Sequence, residues 1–172
     1  GPTKAHVAAE KAGIVKPGST VVIGETDPEL VSIFLQRPHE IAWRRGEHFD
    51  VMDNELALGG RLVELRTPHG RYPHVFVPLH GRHQADNAIV ALTAVEAFFA
   101  SALDEAVINA GFANVRMPGR FEVVGYQPLV ILDGAHNPPG ADVCAEVFFT
   151  DFDPAGQRVL VVGCLRGREP VG

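Results

Sequence analysis

The segment best suited to chemistry is Asp133-Gly134-Ala135-His136-Asn137-Pro138. Before it runs Leu129–Leu132, an unbroken apolar stretch that predicts a strand buried on both faces. After it a helix is expected, with Asn137 as cap and Pro138 in first position. Ligands of open α/β sheets sit outside the carboxyl ends of strands, and helix N-termini favour anions. Asp133 could there accept hydrogen bonds from a ribose and His136 could touch a phosphate. Equally, Asp133 could only cap the turn and His136 could be an exposed loop residue.

Three further segments carry residues of interest. In Pro118-Gly119-Arg120 the planar guanidinium could reach a phosphate from a stiff linker, or pair with Glu122 at the surface. In His83-Gln84-Ala85-Asp86-Asn87 the amides of Gln84 and Asn87 match the donor and acceptor edge of a base. The plainer alternative is helix capping by Asp86 or Asn87. Lys11, in Glu10-Lys11-Ala12-Gly13-Ile14, is one of three lysines and has Ala8, Ala9 and Ala12 as sequence neighbours. If desolvated, its amine would be nucleophilic enough to take up carbon dioxide, and the carbamate would offer Mg²⁺ an oxygen ligand. Otherwise it is a surface lysine with its stem laid along apolar neighbours.

The remaining candidates are quieter. Six histidines, His6, His39, His48, His69, His74 and His80, lack metal-ligand spacing, and no Ser-His-Asp arrangement can be placed. Cys144 reads as a helix core residue and Cys164 as a strand-end packing residue.

The elements that must position these residues alternate in the manner of an α/β fold. A helix tail without a cap is predicted at 7–15, a strand at Thr20–Ile23, a helix at 29–36 begun by Asp27-Pro28, and a strand from Ile41. Gly59-Gly60 between apolar runs signals a hairpin, and Val75, Val77 and Leu79 a further strand. Residues 86–100 form a helix apolar on nearly all sides, which predicts neighbours on nearly all sides. A helix follows at 103–111. Beyond the linker, Val143, Cys144, Val147 and Phe148 predict an inward helical stripe, and 159–162 a parallel strand.

Composition bounds the function. The chain has 172 residues, with 15 Lys and Arg against 21 Asp and Glu, giving a net charge of −6. That balance argues against a sequence-independent nucleic-acid binder, which needs a basic footprint. The apolar stretch 88–103 is broken by Thr93 and Glu96 and falls short of the roughly 20 residues a membrane span needs. No signal peptide core is visible, so a cytoplasmic protein is expected.

Four segments occur in one order: Glu10-Lys11-Ala12-Gly13-Ile14 with Lys16-Pro17-Gly18; Gly81-Arg82-His83-Gln84 with Asn87-Ala88; Pro118-Gly119-Arg120 with Glu122; and Asp133 to Pro138. Together they resemble the folylpolyglutamate synthase/dihydrofolate synthase family of the Mur ligase superfamily. The resemblance implies an ATP-dependent ligase that joins L-glutamate to dihydropteroate or folate through an acyl phosphate, with ATP and Mg²⁺ required. By it Lys11 would be a carbamylated lysine holding magnesium, and Asn87 with Gln84 would contact adenine. Arg120 would reach the phosphates, Asp133 the ribose, and His136 would lie beside the phosphates. Residues 1–117 would be the later part of the central ATPase domain, and 118–172 the linker and the start of a Rossmann-like C-terminal domain.

The family's G-x-x-G-K-[ST] phosphate loop and its upstream magnesium ligands do not occur in these residues, and 165–170 depart from the family's usual lysine- and aspartate-rich stretch. The expectation is a piece of a longer, monomeric enzyme, cut at both ends and inactive alone. The alternatives are a non-catalytic nucleotide-binding module descended from such a ligase, and a piece of a cell-wall Mur ligase.

Overall fold

The computed structural model describes residues 3–152 and 156–163. Helix α1 (Lys4–Ala12) begins at a cap: the Thr3 hydroxyl accepts the His6 N–H at 3.3 Å. The uncapped helix tail expected at 7–15 is therefore corrected at both ends, because Thr3 satisfies the first turn and Gly13 closes the last. Ala8 and Ala12 form its buried face.

Strand β1 (Thr20–Ile23) pairs in parallel with β2 (Ile41–Arg44), and α2 (Pro28–Leu35) crosses between them. Asp27 caps α2 by accepting the Glu29 N–H at 3.0 Å, with Pro28 in first position as expected. An antiparallel meander follows: β3 (Asp50–Ala57), β4 (Gly60–Arg66) and β5 (Arg71–Val77), in that spatial order. The β3–β4 turn is Leu58-Gly59, at the hairpin the two glycines signalled.

One face of the meander supplies Val63, Leu65, Tyr72, Val75 and Val77 to the core. Helix α3 (His83–Phe99) lays Ala85, Ala88, Ile89 and Leu92 on it, and α4 (Glu105–Ala113) adds Ile108. Where α3 passes the end of β1, a Cβ on Gly24 would stand 2.7 Å from Val90 Cγ2, so the helix sits close only because position 24 has no side chain. The all-round burial expected of this helix is not found. Its buried residues form one stripe, while Val95, Phe98 and Phe99 are exposed.

After the linker, β6 (Glu122–Tyr126) pairs antiparallel with β7 (Leu129–Leu132). Helix α5 (Pro138–Val147) continues into a π-helical turn, Phe148–Phe152. Asn137 caps α5 by accepting the Gly140 N–H at 2.8 Å, as its sequence predicts. Two expectations fail here. Leu129, Val130 and Leu132 are exposed, and 159–162 are not in a strand. A strand is buried on both faces only when strands flank it and helices cover it, and β7 has β6 as its one neighbour among the described residues. Val147 of the expected helical stripe is buried, with Val143 and Cys144 partly so. Cys164 and 165–170 lie outside the described residues.

Candidate functional site

The turn after β7 is tied to the linker rather than standing alone. Asp133 Oδ1 accepts the Ala135 N–H at 2.7 Å, and Oδ2 accepts the Phe121 N–H at 2.8 Å. Alongside, the Gly134 N–H donates to the Gly119 carbonyl at 2.8 Å, and the Gly119 N–H donates to Glu122 Oε2 at 2.8 Å. Two motifs separated in sequence thus share one set of hydrogen bonds. Arg120 extends along this turn, its Nη1 3.7 Å from where a Gly134 Cβ would lie.

Glu122 is engaged with Gly119 rather than with Arg120. The surface ion pair that offered the plainer role for Arg120 does not form among the described residues, and its exposed guanidinium is able to meet an anion. His136 is exposed at the start of α5, with Nδ1 2.9 Å from the Gly134 carbonyl. Asp133 keeps exposed lone pairs beyond the two N–H groups it accepts, which suits a hydroxyl donor.

A second group gathers at the start of α3. Asn87 Nδ2 donates to Oε1 of the buried Gln84 at 3.1 Å, so the two amides are held as one unit with the Asn87 end exposed. Capping does not explain them, because among the described residues no side chain caps the first turn of α3, and the Asp86 carboxylate takes Arg45 Nη2 at 2.6 Å. Gly81, at φ 100°, precedes the helix; a Cβ there would meet the His83 ring and Val147 Cγ2 at less than 3 Å.

His83 precedes Gln84 on α3, and Asp133 is close enough to act on its charge. Burial pulls its imidazole below the ordinary histidine range, opposed by Asp86 on its own helix and by Asp133, Glu146 and Asp151 across from it. Behind His83 the Gly81 N–H donates to Asp151 Oδ2 at 2.8 Å, and Arg61 Nη1 lies 3.3 Å from Asp151 Oδ1. Sequence reasoning singled out neither Arg61 nor Asp151. An arginine in a strand and an aspartate at a helix end, 90 residues apart, carry no local signal.

Of the two readings left open for Lys11, the structure shows the surface lysine: its side chain is 67% exposed and lies 3.7 Å from Glu10. Ala8 and Ala12 occupy the buried stripe of α1, and Lys11 falls outside it. No hydrogen bond or ion pair joins it to the other candidate residues among those described. Nor is any group of three or more His, Cys, Asp or Glu among the described residues placed so that it could hold a metal ion. These residues alone therefore do not build a magnesium site. A carbamate on Lys11 would supply one ligand.

No family model matches the chain. A dihydrofolate synthase/folylpolyglutamate synthase of Mycobacterium tuberculosis is 38% identical over 162 residues, covering 87% of this chain and 33% of that protein. The Bacillus subtilis protein of the same name is 34% identical over 169 residues, covering 94% and 39%. The likeness is to the dihydrofolate synthase/folylpolyglutamate synthase family. Mycobacterium tuberculosis folylpolyglutamate synthase complexed with ADP matches the structure with a TM-score of 0.84 at 38% identity, over 89% of this chain and 36% of that one. A folylpolyglutamate synthase–AMPPCP–folate complex matches with a TM-score of 0.82 at 27% identity, over 90% and 39%.

The chain thus spans between a third and two fifths of the length of the curated relatives it matches. Its α/β architecture is that of the folylpolyglutamate synthases, as the four motifs implied. No helix among the described residues is long and apolar enough to cross a membrane.

Proposed function

We propose that the protein containing this chain is an ATP-dependent ligase that joins L-glutamate to the carboxylate of dihydropteroate or a folate. The observation that carries this reading is the hydrogen-bonded joining of the Asp133 turn to the Arg120 linker, in a chain that also holds Gln84 and Asn87 as one amide pair and whose structural relatives bind ADP or AMPPCP. Residues 1–117 are read as the later part of a central ATPase domain, and 118–172 as the linker and the start of a Rossmann-like C-terminal domain.

Each residue has a role its surroundings suit. The Gln84–Asn87 unit offers a base edge both a donor and an acceptor from amides already restrained. Asp133 accepts from ribose hydroxyls, with its carboxylate oriented by the Phe121 and Ala135 amides. Arg120 and His136 neutralise phosphate charge beside the N-terminus of α5, where the helix dipole also favours an anion. ATP as substrate would phosphorylate the folate carboxylate, and the glutamate amine would displace phosphate from the acyl phosphate. Positioning and charge neutralisation carry most of such a reaction. Lys11, as a carbamate, would be one oxygen ligand of a magnesium ion completed by residues beyond those described. The enzyme is read as cytoplasmic and monomeric.

The test is ligation by the whole protein. ADP release should depend on both L-glutamate and dihydropteroate or folate, and hydroxylamine should trap the acyl phosphate as a hydroxamate. ATP binding without ligation would leave a nucleotide-binding module. Turnover of a nucleotide-linked cell-wall precursor in place of pteroate would move the assignment to the Mur ligases.

A further inference from the structure

We propose that Asp151 and Arg61 form a buried latch that sets the turn carrying Arg120, Asp133 and His136 over the Gln84–Asn87 pair, and so position the two halves of the nucleotide site. The proposal rests on the ligase reading for its kinetic consequence but not for its geometry. The Asp151 and Arg61 side chains are only 1% and 5% exposed. Asp151 Oδ1 takes Arg61 Nη1 at 3.3 Å and Oδ2 takes the Gly81 N–H at 2.8 Å, so both carboxylate oxygens bond residues that precede the linker.

Arg61 is itself fixed from the meander side. Its Nε donates to Asn54 Oδ1 at 2.8 Å and its Nη2 to the Asn54 carbonyl at 3.1 Å, while Asn54 Nδ2 donates to the Arg82 carbonyl at 3.0 Å. The network therefore holds the Gly81-Arg82 segment at both ends, through the Gly81 N–H and the Arg82 carbonyl, just before Gln84. Next to it, the His80 ring lies 4.6 Å from that of Phe152 and 6.4 Å from that of Phe121, and Phe121 is 5.3 Å from Phe152. Phe121 directly follows Arg120, and its N–H is the one Asp133 accepts. One end of the latch thus leads to the base-contacting amides and the other to the linker arginine and the carboxylate.

Burying this pair costs desolvation that a pair of apolar side chains would avoid, so stability alone does not account for it. A carboxylate that bonds a guanidinium and a backbone amide at once fixes direction as well as distance, which apolar contact does not. A displacement of about 1 Å within a reacting constellation can cost on the order of a hundredfold in rate.

The experiment uses the whole enzyme that contains this chain and compares three variants with wild type: Asp151→Ala, Asp151→Asn, and Arg61→Met combined with Asp151→Leu. Asp151→Ala leaves Arg61 buried and unpaired, and it lowers the melting temperature. The apolar double variant regains melting temperature, yet its Gly81 amide exchanges with solvent faster than in wild type. Its kcat/KM for ATP stays at least about tenfold down while KM for glutamate is within about twofold. Asp151→Asn keeps an oxygen acceptor for Gly81 and recovers more of the ATP efficiency than Asp151→Ala. If the double variant regains ATP efficiency along with melting temperature, or Asn does no better than Ala, the pair is structural only and the proposal is overturned. A wild-type enzyme that neither binds nor consumes ATP would overturn the ligase reading instead, and Gly81 exchange in the double variant would still decide the latch.

Discussion

Asp133 accepts the backbone N–H of Phe121 at 2.8 Å, so the residue that opens the turn after β7 also orients the peptide next to Arg120. One carboxylate therefore shapes its own loop, anchors the linker and remains exposed enough to meet a ligand. The two proposed nucleotide contacts, Asp133 and Arg120, are coupled through that bond.

Asp133→Asn turns an acceptor into an amide whose NH₂ opposes either the Phe121 or the Ala135 N–H. The variant is expected to lose about 1–3 kcal/mol of stability, measured by urea unfolding. Its ATP affinity, measured by calorimetry on the whole enzyme, should fall at least about tenfold because a charged acceptor is lost. Unchanged ATP affinity in a folded variant would remove Asp133 from the site.

Arg120 is exposed and has no ion pair among the described residues, so Arg120→Lys should change stability by no more than about 0.5 kcal/mol. A lysine keeps the charge but loses the planar fork, and kcat/KM for ATP should drop about tenfold or more with KM for glutamate unaffected. Equal loss for both substrates would argue that the linker acts on domain geometry and not on phosphate.

His80 and His83 are both held below the ordinary histidine range, first by burial. The unfolded chain, titrating near 6.5, therefore binds more protons than the folded one just below that pH. Stability is fully present above about 6.5 and falls as pH drops through the window between the unfolded and folded values. His83→Gln should flatten part of the decline in melting temperature between about pH 7 and 5. An identical slope in the variant would mean that His83 charges as easily when folded as when unfolded.

The Tyr72 hydroxyl donates to Oε1 of Glu96, and both side chains are buried. Burial, and then the adjoining carboxylate, push that hydroxyl up to about 12. Glu96 Oε2 is buried with no partner among the described residues, so Oε1, which also accepts the Leu103 N–H at 3.4 Å, makes all of the carboxylate's hydrogen bonds there. Tyr72→Phe should cost about 3 kcal/mol in urea unfolding, and Tyr72→Phe with Glu96→Leu less than Tyr72→Phe alone. A cost below about 0.5 kcal/mol for the single change would show that Glu96 finds water or another donor when Tyr72 is lost.

What was legible in the sequence is what is decided within a few residues. Asp27-Pro28 and Asn137-Pro138 start helices because a side-chain oxygen reaches an amide two or three positions on. The Gly59-Gly60 hairpin and strand β1 follow from equally local geometry and patterning. Four short motifs in order carry the resemblance to the folylpolyglutamate synthases, because each retains its own backbone chemistry.

The tertiary structure decided which of those segments meet and which faces are covered. Lys11 is exposed although alanines surround it in sequence, because α1 buries only the stripe through Ala8 and Ala12. Leu129–Leu132 reads as a central strand yet has one strand neighbour among the described residues. The Phe121–Asp133 bond and the Arg61–Asp151 pair join positions 12 and 90 residues apart. Closing loops of that length is decided by the burial gained over the whole fold, and no spacing rule within a motif encodes it.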